Sequence, residues 1–319
     1  MAAGTLPRRL LGVLGRRVTQ LIPVLIGVTL VTFLMLRLLP GGPAQTLVGI
    51  RATPQAVAAV KRELGLDKPL TTQYIDYLGN LLHGHLGTSI ISGTSVDSIV
   101  SSHLGATLEL ILYAVVIALL LGVPLAILAA RYRDRWVDSV VRAVVVVTLG
   151  MPSFWLGVIL ILFLGLRLKW FPTGGDGSGV WGTVSHLFLP ALTLALTFVA
   201  VLVRSMRASI SDIIRATYVD AARLKGLSGP KLWRRHIIRT AILPVITLIG
   251  LNVSTLLGTS VVVENVFALS GMGQQLVSAI LQRDFVVVQG ITLVFGVIVL
   301  AISTLVDLVQ TALDPRVTA

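Results

Sequence analysis

The sequence predicts an all-α, polytopic membrane protein with six transmembrane helices, and three observations carry that prediction. Of the 319 residues, 55% are hydrophobic and only 13% are charged, with a mean hydropathy of +0.91. A soluble domain needs more charge than this to cover its surface. The apolar residues gather into runs of about 20 residues or more, the length that crosses a bilayer as helix. The runs are continuous and not alternating, which excludes a membrane barrel. Helices then remain as the structure that bonds its own backbone in hydrocarbon.

The six runs are Val18–Leu39, Ala106–Ala130, Val137–Leu166, Val184–Val203, Ile237–Val262 and Val286–Leu313. The third and last exceed one bilayer thickness, which predicts tilt or extra helical turns outside the lipid. The first follows Arg16 and Arg17 like a signal peptide. Leu39-Pro40-Gly41-Gly42-Pro43 stands after it in place of a small-residue cleavage site, so the run is expected to be retained.

Charge sets the orientation. With the N-terminus in the cytoplasm, 18 of the 26 basic residues and 6 of the 14 acidic ones fall on the cytoplasmic side. The whole net charge of +12 then lies inside and none outside, as a six-span protein with both termini inside requires. Nucleic-acid binding is not needed to explain the excess. The organisation that follows is a cytoplasmic N-terminus over 1–17, a first span over 18–39, an extracytoplasmic segment over 40–105, a five-helix core over 106–313 and a cytoplasmic tail over 314–319. The absence of cysteine excludes a disulfide framework and thiolate chemistry.

Two connecting segments are too long to be simple links. The external one has a helix-like stretch, Pro54–Leu64, followed by the turn-rich Gly65-Leu66-Asp67-Lys68-Pro69. The cytoplasmic one, 204–240, carries half of the cytoplasmic basic residues, yet apolar positions interrupt it at helical spacing. Within it, Tyr218–Leu227 reads as a short amphipathic helix ended by Gly226, which can adopt the left-handed turn geometry. Small Ala221 and Ala222 admit close approach of a partner. Ser228-Gly229-Pro230 restarts a second helix through Lys231–Arg239, with Pro230 suited to its first turn. Such an elbow either transmits force to both attached spans or rests on lipid headgroups.

The residues of the elbow resemble a known family. Asp220-Ala221-Ala222-x3-Gly226 is similar to the EAA loop of permeases from binding-protein-dependent ABC importers. The longer run Tyr218-Val219-x-Ala221-Ala222-x-Leu224-Lys225-Gly226-Leu227, then His236, Arg239 and Ile242-Leu243-Pro244, resembles the dipeptide/oligopeptide/nickel group. Asp220 departs from the glutamate of the general motif, and the Leu-Pro pair lies further from the glycine than in sugar importers. The resemblance continues through Arg37–Ala44, Leu64–Leu70, Gln73-Tyr74, Leu78–Gly87, Ala106–Leu110, Pro152–Gly157, Glu264–Gly273, Arg283–Gly290 and Asp314-Pro315-Arg316. It covers nearly the whole chain and points to the B-type permease subunit.

This resemblance implies the type I ABC importer permease fold in a bacterial cytoplasmic membrane. It implies a heterodimer with a second related permease, two ABC ATPase subunits and an extracytoplasmic substrate-binding protein as partners, besides membrane lipid. Tyr218, Asp220, Ala221, Ala222, Leu224, Lys225, Gly226 and Leu227 become the ATPase-docking residues. Glu264, Phe267, Gly271 and Gly273 become a candidate extracellular gate, Glu264 being read as a contact for a peptide amine or as a packing residue near a membrane end. No cofactor is expected on this chain, and ATP and Mg belong to the partner subunits. Di- and oligopeptides are the expected cargo, with nickel chelates or another small solute as the alternative.

Other chemistry finds little support in the sequence. No Gly-x4-Gly-Lys-Ser/Thr phosphate loop is present, so the chain carries no nucleotide site of that type and is not expected to be an enzyme. A membrane-embedded enzyme needs paired polar residues inside the spans, and a secondary carrier needs internal repeats or mid-membrane carboxylates; neither pattern is present. His83-Gly84-His85 lacks a third ligand for a metal, while His103, His186 and His236 are isolated. Gly250, Ser254 and Gly258 recur every four positions and favour close helix packing.

Overall fold

The described residues of each apolar run are helical, apart from a break at Met151-Pro152, in the computed structural model, which describes residues 19, 22–34, 53–63, 65–227 and 229–313. The N-terminus 1–17, the stretch Arg37–Ala44 and the tail 314–319 lie outside the described residues. The helices are α1 (Ile22–Leu34), α2 (Pro54–Glu63), α3 (Leu70–Leu82), α4 (Val96–Arg131), α5 (Trp136–Gly150) and α6 (Ser153–Leu160), which widens into π-type turns over Ile161–Arg167. They continue as α7 (Gly179–Ile214), α8 (Thr217–Leu224), α9 (Gly229–Leu232), a π-type segment Trp233–Ile238, α10 (Arg239–Phe267), α11 (Met272–Leu281) and α12 (Phe285–Leu313). Among the described residues the only strand-like feature is an isolated antiparallel bridge, Thr88 to Ser95.

Two of these elements depart from the apolar runs for clear reasons. The third run is a broken helix: α5 and the α6 segment meet at 107°. Pro152 supplies no N–H and forces its predecessor out of helical geometry, and Met151 is extended at φ −95, ψ 130. Its excess length is therefore taken up by a bend as well as by turns. Conversely, α7 runs eleven residues past Val203. No helix breaker follows Arg204, and Met206 and Ile210, four apart, are both buried, so packing extends the helix where hydropathy ends.

The chain folds as two compact units, Leu108–Leu269 with Ala301 onward, and Arg17–Thr107 with Ser270–Leu300. In the first, α7 is the hub, packed against α5, α6 and α10. Small residues set the closest approaches: a Cβ on Gly122 of α4 would meet Leu202 of α7 at 2.6 Å, and one on Gly250 of α10 would meet Val306 of α12 at 2.4 Å. Packing of this kind holds helices together where lipid removes the hydrophobic drive. Of the small-residue stripe, Gly250 meets a neighbour, whereas nothing lies within 4 Å of a Cβ on Gly258.

The same unit contains a buried ion pair. Arg207 Nε and Nη2 of α7 donate to the two Asp138 carboxylate oxygens of α5, each at 2.6 Å. The Asp134 backbone N–H donates to the same carboxylate at 3.1 Å, and Arg142 approaches at 3.6 Å. Asp138 has no exposed surface, and a bidentate pair this short pins the last turns of α7 to the start of α5.

The second unit packs Val96, Val100, Met272, Ala279, Val287 and Ile291 into its core. Asp284 organises its polar side. Its carboxylate accepts from the Ser89 hydroxyl, from the Ile90 and Ile91 N–H groups at 3.3 and 3.4 Å, and from Val287 N–H at 3.4 Å. One residue thus caps α12 and anchors the 89–91 turn. Buried Gln73 donates to the Leu66 and Lys68 carbonyls at 3.2 and 2.7 Å, holding the 65–69 turn onto α3. The aromatic rings of Phe33, Tyr74 and Tyr77 join α1 to α3.

Removing Arg207 leaves the buried Asp138 carboxylate with only the Asp134 N–H and the more distant Arg142. Arg207→Met is expected to lower the unfolding free energy in detergent by about 3 kcal/mol, while the double change Asp138→Leu with Arg207→Met recovers most of that loss. Equal stability of Arg207→Met and the parent would show the pair to be incidental.

Candidate functional site

The elbow between α7 and α10 brings together every residue the sequence singled out for partner docking. Its upstream break lies at Ala216, extended at φ −75, ψ 138, where Arg215 and Ala216 N–H groups close tight turns onto Asp212 and Ile213. α8 then presents two faces. Val219 and Ala222 are buried against the unit, while Tyr218, Asp220, Ala221, Arg223 and Leu224 face outward. Leu224 is 89% exposed, an unusual position for a leucine in a charged segment. Asp220 and Arg223 pair at 2.9 Å on the exposed side, a geometry that adds only a few tenths of a kcal/mol to the helix.

The helix ends in a Schellman turn. Leu227 N–H donates to Ala222 O at 3.1 Å and Gly226 N–H to Arg223 O at 2.9 Å, with Gly226 at φ +82. A side chain at that φ is strained, which accounts for glycine here. After Gly229 and Pro230 the chain runs through the π-type segment into α10 without a further break, Ile238 holding φ −65, ψ −43. The sequence suggests two short helices; the second is instead the leading end of a long one. Leu232, Ile237 and Ala241 on that arm are buried. A groove of about 550 Å³ opens on the elbow, lined by Tyr218, Ala221, Ala222, Lys225, Leu227 and His236. One apolar side chain and one acidic group would suit it, since its lining combines small, aromatic and cationic residues.

The four candidate gate residues are all buried. Glu264 and Phe267 lie in the last turns of α10. Glu264 has no exposed surface and is engaged within the protein rather than standing at an open edge. Gly271 and Gly273 belong to the other unit, Gly271 preceding the first residue of α11. α10 closes in a second Schellman turn, Leu269 N–H to Glu264 O at 3.0 Å, with Ala268 left-handed at φ +48.

Several functional-looking contacts carry no local sequence signal. Asp138 and Arg207 stand 69 residues apart. His186, isolated in the sequence, has Nδ1 at 3.1 and 3.0 Å from the Gly174 and Gly175 carbonyls. Both partners are acceptors, so Nδ1 carries the proton. Gly175 N–H in turn donates to Phe267 O at 2.9 Å, which fastens the 168–178 loop onto the end of α10. His83 Nδ1 bonds Gly79 O at 2.7 Å, and among the described residues no cluster of metal-ligating side chains occurs.

Comparison with known proteins gives this geometry a context. Residues 122–319 match the family model described as binding-protein-dependent transport system inner membrane component, and residues 10–110 match its N-terminal counterpart. A protein of Brucella abortus (strain 2308) described as a peptide transport system permease is 38% identical over 307 residues, 95% of this chain and 97% of that one. The glutathione transport system permease protein GsiC of Salmonella typhimurium (strain LT2) is 36% identical, over 95% and 97% of the two chains. The dipeptide transport system permease protein DppB of Alkalihalophilus pseudofirmus is 33% identical, over 95% and 98%. Among solved structures, the MetNI methionine ABC transporter in an inward-facing conformation superposes with a TM-score of 0.58 over 68% of this chain and 96% of that one, at 16% identity. At that identity it shows the fold alone.

Broken spans, a helical elbow and a match to both family models along nearly the entire length lead to one conclusion: the chain belongs to the inner membrane components of binding-protein-dependent transport systems, a multi-pass permease subunit whose ATP hydrolysis resides in separate subunits.

Proposed function

We propose that the chain forms one half of the translocation path of an ATP-driven importer for di- and oligopeptides delivered by a substrate-binding protein. The other half is a related permease, and two ABC ATPase subunits bind ATP and Mg on the cytoplasmic face. Both termini are placed in the cytoplasm, a reading that the one-sided distribution of basic residues supports. Relatives named for peptide, dipeptide and glutathione transport, each matched over 95% of this chain, support the cargo class.

The observation that carries the coupling half of the reading is the exposed face of α8, suspended between α7 and α10. The ATPase seats on Tyr218, Ala221, Leu224 and Lys225, while Val219 and Ala222 tie the helix to its own subunit. Closure of the ATPase pair pushes α8, and α10 relays the movement along about 40 Å of helix at 1.5 Å per residue. At its far end stand Glu264 and Phe267, which with Gly271 and Gly273 form the extracytoplasmic gate. Buried Glu264 serves this gate by holding the end of α10 rather than by touching cargo.

Leu224→Asp is expected to insert and fold normally but to weaken ATPase association at least tenfold, abolishing transport-coupled hydrolysis, with Leu224→Met close to the parent. Ala221→Trp acts in the same direction. Normal transport by Leu224→Asp would remove α8 from the coupling path. Gly226→Pro is a poorer probe, because it breaks the turn that shapes the elbow.

The absence of cysteine gives a clean test of orientation. In the chain expressed without its partner ATPases, a single cysteine replacing Leu224 should react with a membrane-impermeant maleimide only from the cytoplasmic side, and one replacing Leu82, 88% exposed, only from outside. The reverse pattern would invert the topology. For cargo, a deletion strain should lose growth on defined di- and tripeptides as sole nitrogen source and keep nickel uptake; loss of nickel uptake alone would reassign the cargo.

A further inference from the structure

The second unit contains a cavity that peptide passage and ATPase coupling leave without a role. It measures about 350 Å³ and is lined by Phe33, Tyr77, Asn80, His85, Leu86, Gly87, Val286 and Gln289. Three separate stretches build it: α1, the α3 helix with the turn after it, and the first turns of α12. Two tight approaches shape its wall. A Cβ on Gly87, at φ +98, would meet Val286 Cγ1 at 2.8 Å, and a Cβ on Gly290 would meet Val96 Cγ1 at 2.5 Å.

Two of the lining residues carry a polar atom buried without a hydrogen bond, the Gln289 Nε2 and the Tyr77 hydroxyl. Gln289 is only 7% exposed. The Tyr77 hydroxyl faces the Gln289 amide and the Thr32 hydroxyl, yet no bond of acceptable geometry forms. The Thr32 proton is already given to the Val28 carbonyl at 2.8 Å. Burial pushes the Tyr77 hydroxyl up to about 12, so it stays protonated and offers a donor at any physiological pH. An unbonded buried donor is destabilising, and here two residues lining one cavity each carry such a donor.

The lining defines what fits. No lysine, arginine, aspartate or glutamate borders the cavity, so an ammonium would find no partner charge and a carboxylate only the exposed His85 imidazole. Phe33, Leu86 and Val286 offer apolar surface beside the two donors. The volume is about ten times the share of a single water and sits at the lower end for small-molecule sites. We propose that this cavity binds a small, uncharged, amide-bearing solute, with the amide carbonyl accepting from Gln289 Nε2 and Tyr77 Oη and an apolar side group lying against Phe33 and Val286. The backbone amide of a short peptide is the class that the proposed cargo would supply; that choice alone rests on the peptide reading.

The test measures binding directly, so it is independent of transport. The full-length chain in nanodiscs is titrated with N-acetyl-leucinamide by calorimetry or ligand-observed NMR, with N-acetyl-leucine as the charged counterpart. Saturable binding of the amide is expected, with the acid weaker by about tenfold. Gln289→Leu and Tyr77→Phe, checked for an unchanged unfolding midpoint, should each weaken the amide by about tenfold, the worth of one neutral hydrogen bond. Val286→Trp fills the cavity and should abolish binding. Equal affinity for acid and amide, unchanged affinity in both polar variants, or a map with ordered water filling the space and no amide uptake would each overturn the proposal. Amide binding that survives alongside a failure to import peptides would overturn the cargo assignment and leave this site standing.

Discussion

Each described change of direction in this chain meets one constraint: a backbone group that leaves its helix must find another partner, most stringently inside hydrocarbon. Changes of direction are therefore few and each is chemically closed. At Met151-Pro152 the proline has no N–H to lose. At Ala216 the freed groups bond back to Asp212 and Ile213, and at Gly226 and Ala268 Schellman turns collect the open carbonyls. These breaks coincide with the elbow, the bend and the end of α10.

That arrangement gives the elbow its mechanical meaning. An amphipathic helix joined at both ends by flexible loops would absorb a push. Here the downstream arm is continuous with α10, and the upstream arm is only Arg215 and Ala216 away from α7. Near that upstream joint, the Asp138–Arg207 pair ties α7 to α5, which under the proposed coupling would give a push on α8 a fixed point to act against. The exposed Asp220–Arg223 pair contributes little stability by comparison, and its charges remain free to meet an external partner. Burial decides the difference between the two pairs, since both are formally one acid with one arginine.

The sequence made the spans, the elbow and its glycine legible because each rests on a local rule: run length, helical spacing and a left-handed turn residue. It marked the elbow residues proposed for docking as a group through contiguous motif residues. Three features escaped it. The break of the third run depended on weighing Pro152 against strong surrounding hydropathy. The extension of α7 depended on Met206 and Ile210 finding buried positions, which only tertiary packing supplies. The Asp138–Arg207 pair joins residues 69 apart, and no periodicity encodes such a meeting. Glu264 was legible as an unusual acid near a span end, but its complete burial was not, because hydropathy cannot tell an edge from an interior.

The division of the chain into units carries the last step. The two family matches separate residues 10–110 from 122–319, and a reading along the sequence would draw the boundary there. The packed units do not follow it, because Ser270–Leu300 joins Arg17–Thr107. Asp284 is the reason on the polar side, binding the 89–91 turn, and Val96 against Val287 and Ile291 is the reason on the apolar side. The N-terminal segment therefore completes its core with a helical hairpin contributed by the end of the permease core. The chain passes from one unit to the other at Leu269-Ser270, directly after left-handed Ala268. A non-glycine residue in that conformation costs about 1 kcal/mol, and surrounding packing has to sustain it. Glu264 and Phe267 lie before this point in the chain and Gly271 and Gly273 after it, so the four residues are divided between the two units.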